Sequence, residues 1–168
     1  MRRLLLPLLL IASMASAEVN VMVEIPRIDA SEYHRPYVAV WVEDGGHEVV
    51  ANLAVWYAQK ETREGAGSKW LADLRQWWRR SGRDQTLPID GVSGATRPVG
   101  QHQLRFDAAK PPFAALKPGQ YALVVEAVRE VGGRELLRIP FDWPVTASRH
   151  LDARGEHELG LVKLDLIP

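Results

Sequence analysis

The sequence contains no cysteine. Without thiols the protein has no disulfide framework, no thiol nucleophile and no cysteine-ligated metal site. Its stability must therefore come from a hydrophobic core, and about 150 residues are enough to bury one within a single domain. Six tryptophans supply much of the side-chain volume for that core.

The sequence also lacks an excess of charge of either sign. Lysine and arginine together number 21, as do aspartate and glutamate, so the formal net charge is zero. Without Arg2 and Arg3, which we expect to be removed, 19 basic residues face the same 21 acidic ones and the net charge is −2. A chain this close to neutrality has no basis for strong binding to nucleic acid or to an anionic membrane surface.

Long apolar segments are absent as well. The apolar run over residues 4–12 is about half the roughly 20 residues that a transmembrane helix needs. Two arginines precede this run and Ala15-Ser16-Ala17 follows it, which is the pattern of a cleavable export signal. The sequence therefore predicts a signal peptide over residues 1–17 and an exported mature chain that begins at Glu18 and does not span the membrane. An N-terminal anchor or a buried helix is the alternative.

Short segments of alternating and β-branched residues dominate the mature chain and predict a mainly β fold. The first has apolar residues at alternate positions, and residues 37–42 are apolar on both faces, as in a central strand. The predicted strands cover residues 19–25, 37–42, 49–57, 103–106, 121–129, 135–141 and 158–166. About seven short strands separated by turn signals are typical of an immunoglobulin-like antiparallel sandwich, here a single domain over residues 18–168.

An insertion at about residues 58–98 interrupts this strand pattern. Residues 61–68 are polar and contain glycine, which predicts a loop. Ser68 is placed to cap an amphipathic helix over residues 69–80. One face of that helix carries apolar side chains: Trp70, Leu71, Leu74, Trp77 and Trp78. We therefore expect the helix to pack these residues against the sheet.

A glycine-rich segment follows the predicted helix and consists of Asp90, Gly91, Val92, Ser93, Gly94, Ala95 and Thr96. It resembles the flavinylation motif Asp-Gly-x-Ser/Thr-Gly-Ala-Thr that bacterial FMN transferases recognise, and every specified position matches. The resemblance implies that the hydroxyl of Thr96 attacks FAD, that AMP leaves, and that FMN stays attached through a phosphodiester. The alternative is an ordinary glycine turn, because short patterns of this kind also arise by chance.

The residue types in the motif suit this implied chemistry. A threonine hydroxyl is a poor nucleophile, so the transferase has to supply a base and a metal, and the acceptor segment has to enter its active site. Gly91 and Gly94 permit backbone conformations and a close approach that side chains would block. Ala95 keeps the flank of Thr96 small.

The remaining motif positions are expected to shape the segment. Asp90 and Ser93 can hold the turn by hydrogen bonds between side chain and backbone. Arg97 either pairs with the phosphodiester or is a solvated charge. The nearby residues Trp56, Trp70, Trp77 and Trp78 are assigned to the core on their spacing, and stacking on a flavin is the alternative.

The resemblance extends beyond the motif. Residues 36–44, 70–78, 94–98 and 117–121 are similar to an uncharacterised family of predicted periplasmic proteins whose members look like flavin carriers. It implies a periplasmic electron-transfer protein with covalent FMN, served by an FMN transferase and partnered by a membrane-embedded electron-transfer protein. A cofactor-free periplasmic binding or adaptor module is the alternative, and the sequence leaves open whether the protein is an enzyme.

No other pattern in the sequence predicts a catalytic or metal site. The five histidines form no close His-x-x-x-His pair. Asp152, Glu156, His157 and Glu158 form either a weak cation site or a charged loop before the last strand, and the loop is the favoured interpretation.

Overall fold

A computed structural model describes residues 17–62 and 65–168. The expected signal peptide therefore lies outside the described residues apart from Ala17. The described residues form eleven strands: β1 (Glu18–Ile25), β2 (Tyr37–Asp44), β3 (Val49–Tyr57), β4 (Glu61–Thr62), β5 (Gly65–Ala66), β6 (Ser93–Ala95), β7 (Gly100–Asp107), β8 (Gly119–Val128), β9 (Arg134–Trp143), β10 (Arg149–Arg154) and β11 (Leu161–Ile167). They also form one α-helix, α1 (Arg75–Arg80), and three 3-10 helices, Gly67–Asp73, Gly82–Asp84 and Phe113–Ala115.

Two sheets form the body of the protein. One has four strands in the order β10-β11-β1-β7, and the other has five in the order β6-β3-β2-β8-β9. All strand pairs in the described chain are antiparallel except β3 with β6, which run parallel. The predicted β-sandwich is confirmed, with this one parallel pair as the departure from a purely antiparallel arrangement.

Alternation along the strands builds the core between the sheets. In β1, the side chains of Val19, Val21 and Val23 are fully buried and pack with the aliphatic residues of the opposite sheet. Because successive side chains of a strand point to opposite faces, one apolar set from each strand is enough to fill this layer. The core therefore lies where the alternating pattern predicts it.

The strand β2 is buried on both faces, as its continuous apolar sequence indicates. Val38 and Val40 belong to the core between the sheets. Ala39 and Trp41 belong to a second apolar cluster, on the other face of the five-stranded sheet. A layer of short helices covers that face, which explains why β2 does not alternate.

The predicted single helix over residues 69–80 is wrong in its geometry. The chain forms the 3-10 helix Gly67–Asp73 and then α1, and the two meet at Leu74 with a non-helical ψ of 70°. Ser68 does not cap either helix, since it lies inside the first one and the residue preceding that helix is Ala66. A 3-10 helix has three residues per turn, so the side-chain positions rotate away from those of a continuous α-helix.

That change of helix type decides which tryptophans are buried. Residues three apart eclipse each other in a 3-10 helix, so Leu71 and Leu74 share one row and both are fully buried. Trp70 and Asp73 share the neighbouring row and are exposed. The prediction that Trp70 is buried is therefore wrong, because 47% of its surface is exposed, whereas Trp77 is fully buried as predicted.

A carboxylate from the sheet holds the beginning of α1. Glu126 on β8 is fully buried and accepts hydrogen bonds from the backbone N–H groups of Gln76, at 3.1 Å, and Trp77, at 2.8 Å. The guanidinium of Arg134 on β9 donates to the same carboxylate at 2.6 Å. The first N–H groups of a helix have no partner within it, so a capping group has to come from outside.

Other boundaries also differ from the predictions. The predicted loop over residues 61–68 contains the short hairpin of β4 and β5. The strand β10 was not predicted, and it includes Asp152 from the segment that we interpreted as a charged loop. The last strand begins at Leu161 instead of residue 158, because Glu158 turns inwards to a buried ion pair with Arg129.

Candidate functional site

The glycine-rich segment forms a turn that leads into an edge strand. Gly91 has a φ of +68°, a backbone conformation that favours glycine. The Ser93 Oγ atom accepts a hydrogen bond from the Ile89 N–H at 2.9 Å, and the Ser93 N–H donates to the Ile89 carbonyl at 2.9 Å. Ser93 therefore holds the turn as expected. Asp90 makes no such side-chain hydrogen bond with any described residue.

The strand β6 presents the end of this segment at the edge of the five-stranded sheet. Ser93, Gly94 and Ala95 pair with β3, and β6 has no strand on its other side among the described residues. Ala95 is exposed, as are Asp90 and Gly91 on the preceding turn. The segment is thus fixed to the sheet along one side and open to solvent along the other.

Trp56 supports β6 from beneath. A Cβ atom at Gly94 would lie 3.4 Å from the Trp56 indole, which is van der Waals contact, so the strand packs directly on the ring. The guanidinium of Arg97 lies 5.3 Å from the centroid of the same ring, in a cation–π contact. His102 meets the Trp56 ring edge-on at 5.6 Å. Arg97 is exposed, and its described contact is with this aromatic ring.

Thr96 follows β6 directly and lies in the wall of a surface pocket. We call this cavity, which has a volume of about 410 Å³, the Thr96 pocket. It is lined by residues from five parts of the chain, among them His34, Tyr37, Trp70, Asp73, Thr96 and Val131. Small-molecule sites in proteins commonly have volumes of about 300–1,000 Å³.

The order of the strands explains how these residues meet. Ala95 pairs with Tyr57 on β3, and Tyr37 on β2 pairs with Val128 on β8. The ends of four adjacent strands therefore lie at the same end of the sheet. The residues just beyond these strand ends form the floor and walls of the pocket. The row of Trp70 and Asp73 on the 3-10 helix lines it as well.

The surroundings of the Tyr37 phenol raise its pKa. Burial raises the pKa of the Tyr37 phenol above its ordinary value of 10.0, and the negative charges of Glu130 and Asp73 raise it further. A backbone hydrogen bond with Ala58 acts in the opposite direction. The phenol donates a hydrogen bond to the Gly67 carbonyl at 3.2 Å, which ties the 3-10 helix to β2.

Two further side chains of the pocket contact carboxylates. His34 Nε2 lies 3.1 Å from Glu32 Oε1, and His34 Nδ1 lies 3.5 Å from Glu130 Oε2. Arg129 donates through Nε and Nη2 to both oxygens of Glu158 at 2.9 and 3.1 Å. These pairs link the segment before β2, the turn after β8 and the segment before β11.

The guanidinium of Arg129 is enclosed as well as paired. Its Nη1 atom is buried without a hydrogen-bond partner among the described residues. A Cβ atom at Gly132 would lie 2.6 Å from the guanidinium carbon, so only glycine lets the turn between β8 and β9 fold over it. Such a buried ion pair constrains the backbone at this side of the Thr96 pocket.

The structure keeps the predicted site residues together but adds a pocket that the sequence did not reveal. Asp90, Gly91, Ser93, Gly94, Ala95 and Thr96 are continuous in the chain, so their proximity needed no tertiary information. The aromatic residue Tyr37 and the turn residues 129–131 were missed. Helical spacing assigned Trp70 to the core, with flavin stacking as the alternative, and no local pattern indicates the 3-10 geometry that exposes it.

The other tryptophans near the motif lie in the core or beside it. Trp56 and Trp77 are buried, and Trp78 is half-buried beside the second apolar cluster. In the described part of the chain, no group of three or more His, Asp or Glu side chains is arranged to hold a metal ion. Within the same residues, the helices are too short or too polar to cross a membrane.

One protein family matches most of the chain. The family described as "Predicted periplasmic protein (DUF2271)" matches residues 18–161, which include the five-stranded sheet, the whole insertion and three of the four strands of the other sheet. The chain belongs to that family. The protein is therefore periplasmic, as the sequence predicts. No curated protein and no solved structure shows significant similarity to the chain.

Proposed function

We propose that the protein is a periplasmic electron carrier that holds FMN covalently on Thr96. The observation that carries this proposal is the position of Thr96, which is half-buried, ends the partly exposed glycine-rich segment and also lines the Thr96 pocket. The pocket is within the usual size range of small-molecule sites and presents the exposed aromatic side chain of Trp70. These features fit a tethered flavin.

The exposure of the segment suits modification by a separate enzyme. A transferase has to reach the Thr96 hydroxyl, and the residues before it form an exposed turn and an edge strand. The backbone of β6 is nevertheless held by its pairing with β3 and by the Ser93 hydrogen bond. The acceptor hydroxyl is therefore presented at a defined place on the surface.

The proposed attachment is a phosphoryl transfer from FAD. The Thr96 Oγ1 atom attacks the phosphorus on the FMN side of the pyrophosphate, a P–O bond forms there, and the pyrophosphate P–O bond breaks. AMP leaves with the electron pair of the broken bond, and the hydroxyl proton passes to a base of the FMN transferase. The step changes no oxidation state.

Once attached, FMN supplies the redox chemistry and the chain supplies its position. A covalent tether replaces a binding equilibrium, which depends on the flavin concentration, by a fixed local concentration. That is an advantage in the periplasm, where a free cofactor is diluted. In this proposal the electrons pass between a membrane-embedded electron-transfer protein and a periplasmic redox partner.

Co-expression with an active FMN transferase tests the attachment. We expect the exported wild-type protein to gain the mass of FMN and to fluoresce in a denaturing gel. Thr96→Val keeps the shape of the side chain and removes the nucleophile, so the protein should fold but carry no covalent flavin. Intact mass and in-gel flavin fluorescence measure both results.

Two control variants separate the attachment site from its surroundings. Thr86→Val removes another exposed threonine hydroxyl from the same insertion and should leave flavin attachment unchanged. Ser93→Ala removes the hydrogen bond to the Ile89 N–H and should retain at least some flavin, because Ser93 only shapes the turn. Retention of the FMN mass by Thr96→Val would exclude Thr96 as the attachment site. If wild type gains no FMN beside a transferase proven active on another substrate, the adaptor function replaces the carrier function.

A further inference from the structure

We infer that the indole of Trp70 is the surface on which the isoalloxazine ring of the attached flavin stacks inside the Thr96 pocket. This inference rests on the proposed function, and it names the part of the pocket that holds the ring. It assigns a binding role to a residue whose helical spacing alone would place it in the core.

The exposure of Trp70 has no explanation in the packing of the fold. Trp77 follows it by seven residues, on α1, and is fully buried, whereas 47% of the Trp70 surface is exposed. The described chain exposes only five large apolar side chains, and two of them, Trp70 and Val131, line this one pocket. Single exposed apolar residues are ordinary on protein surfaces, but two that converge on one cavity indicate a ligand site.

One local contact touches the Trp70 ring, and another fixes the beginning of its helix, without burying the ring. The ammonium group of Lys69 lies 4.7 Å from the centroid of the Trp70 ring, which is a cation–π distance. The Tyr37 hydroxyl donates to the Gly67 carbonyl at the beginning of the same 3-10 helix. A ring that is positioned before the ligand arrives loses less conformational entropy on binding.

The distance across the pocket suits a ring on a long tether. Thr96 follows β6, and the turn that contains Val131 follows β8, three strand spacings away, or about 14 Å. The phosphate and ribityl chain of FMN separate its ring from the attachment atom by several bonds. This tether is long enough to carry the ring away from Thr96 to other residues that line the pocket, Trp70 among them.

Flavin fluorescence is the direct measure of this stacking, because an indole in contact with the ring quenches it. In the flavinylated protein, Trp70→Leu should keep the FMN mass and raise the fluorescence yield per bound flavin several-fold. Trp78→Leu is the matched control, since Trp78 lies on α1 beside Trp77 and does not line the pocket. Its yield should equal that of wild type. Equal yields for wild type and Trp70→Leu at full FMN mass would overturn the inference.

A second measurement tests the pocket independently of attachment. Riboflavin has no phosphate, so it cannot be transferred to Thr96, and it can be titrated into the Thr96→Val protein. We expect saturable quenching of riboflavin fluorescence, and binding weakened on the order of tenfold by the additional Trp70→Leu change, as for one lost aromatic stacking contact. Absence of saturable binding, or equal affinity in both proteins, would contradict the role of Trp70. Mass reports on the attachment and fluorescence on the stacking, so the two proposals fail separately.

Discussion

The two faces of the five-stranded sheet are covered in different ways. The inner face packs against a second sheet, and aliphatic side chains from nearly every strand fill the space between them. The outer face is covered by a 3-10 helix and the short helix α1, which pack on the sheet through the second apolar cluster and make a few polar contacts with it. The helical layer leaves one end of the sheet uncovered, and the Thr96 pocket lies at that end.

This difference indicates where a sandwich of this kind can accommodate a binding site. A sheet-on-sheet interface is filled by regular alternation and leaves no space for a ligand. A helical layer added over the other face follows no such repeat, so it leaves space between the elements. The regular core therefore lies on one face of the sheet, and the candidate site lies on the other.

Removal of the Trp77 side chain, at the centre of the helical layer, should have the largest effect on stability. Trp77 is fully buried, and its indole N–H donates to Asn52 Oδ1 at 2.8 Å. We expect Trp77→Ala to reduce the free energy of unfolding by about 3–5 kcal/mol, the usual cost of emptying a buried aromatic site. Urea unfolding measures the change. The control is Trp70→Ala, which should cost less than about 1 kcal/mol because that side chain is half exposed.

A loss below about 1 kcal/mol for Trp77→Ala would show that the helical layer contributes little to stability. The inner core would then hold the protein together alone, and the contrast between the faces would be sharper than we infer.

The carboxylate under α1 should have the next largest effect. Glu126→Gln keeps the size of the side chain but replaces one acceptor oxygen by an amide donor. That donor then faces either the Trp77 N–H or the Arg134 guanidinium, so one buried group is left without a partner. We expect a loss of about 1–3 kcal/mol in the free energy of unfolding.

The exposed carboxylate of Glu48 provides the comparison for Glu126. Glu48→Gln should change the stability by less than about 0.5 kcal/mol. Equal stabilities of the Glu126 and Glu48 variants would mean that the apolar contacts of the helical layer position α1 without the capping carboxylate.

The smallest effect concerns the end of the inner sandwich, and it depends on pH. Burial raises the pKa of Glu135, but backbone N–H groups of four residues, Glu156, His157, Glu158 and Leu159, donate to its carboxylate and bring the pKa below its ordinary value of 4.5. A lowered pKa in the folded state means that the charged form stabilises the fold. This contribution is complete above pH 4.5 and is lost as the pH falls through the lower folded value.

We therefore expect Glu135→Gln to be less stable than wild type at neutral pH and to approach wild-type stability in acid. Unfolding in urea at a series of pH values measures this, with Glu48→Gln run in parallel to remove general effects of pH. A stability difference that stays constant from neutral pH to well below 4.5 would contradict the role of the Glu135 charge.

The sequence was sufficient for the regular part of the molecule. The strand of alternating valines, the doubly apolar β2 and the turn signals between strands predicted a sandwich, because the spacing of apolar residues in a strand is local information. The same is true of the glycine-rich segment. Gly91 and Ser93 shape their turn through contacts within a few residues, so the chain itself determines how Thr96 is presented.

The remaining features of the fold and of the site depend on the tertiary structure. The sequence around residues 70–77 does not indicate that the Glu126 carboxylate caps α1 or that the preceding turns are 3-10. These two features determine whether Trp70 is buried or exposed. The Thr96 pocket likewise needs β6, β3, β2 and β8 to lie side by side in that order. Pairing between distant segments is set by the packing of the whole sheet, and no local pattern of residues specifies it.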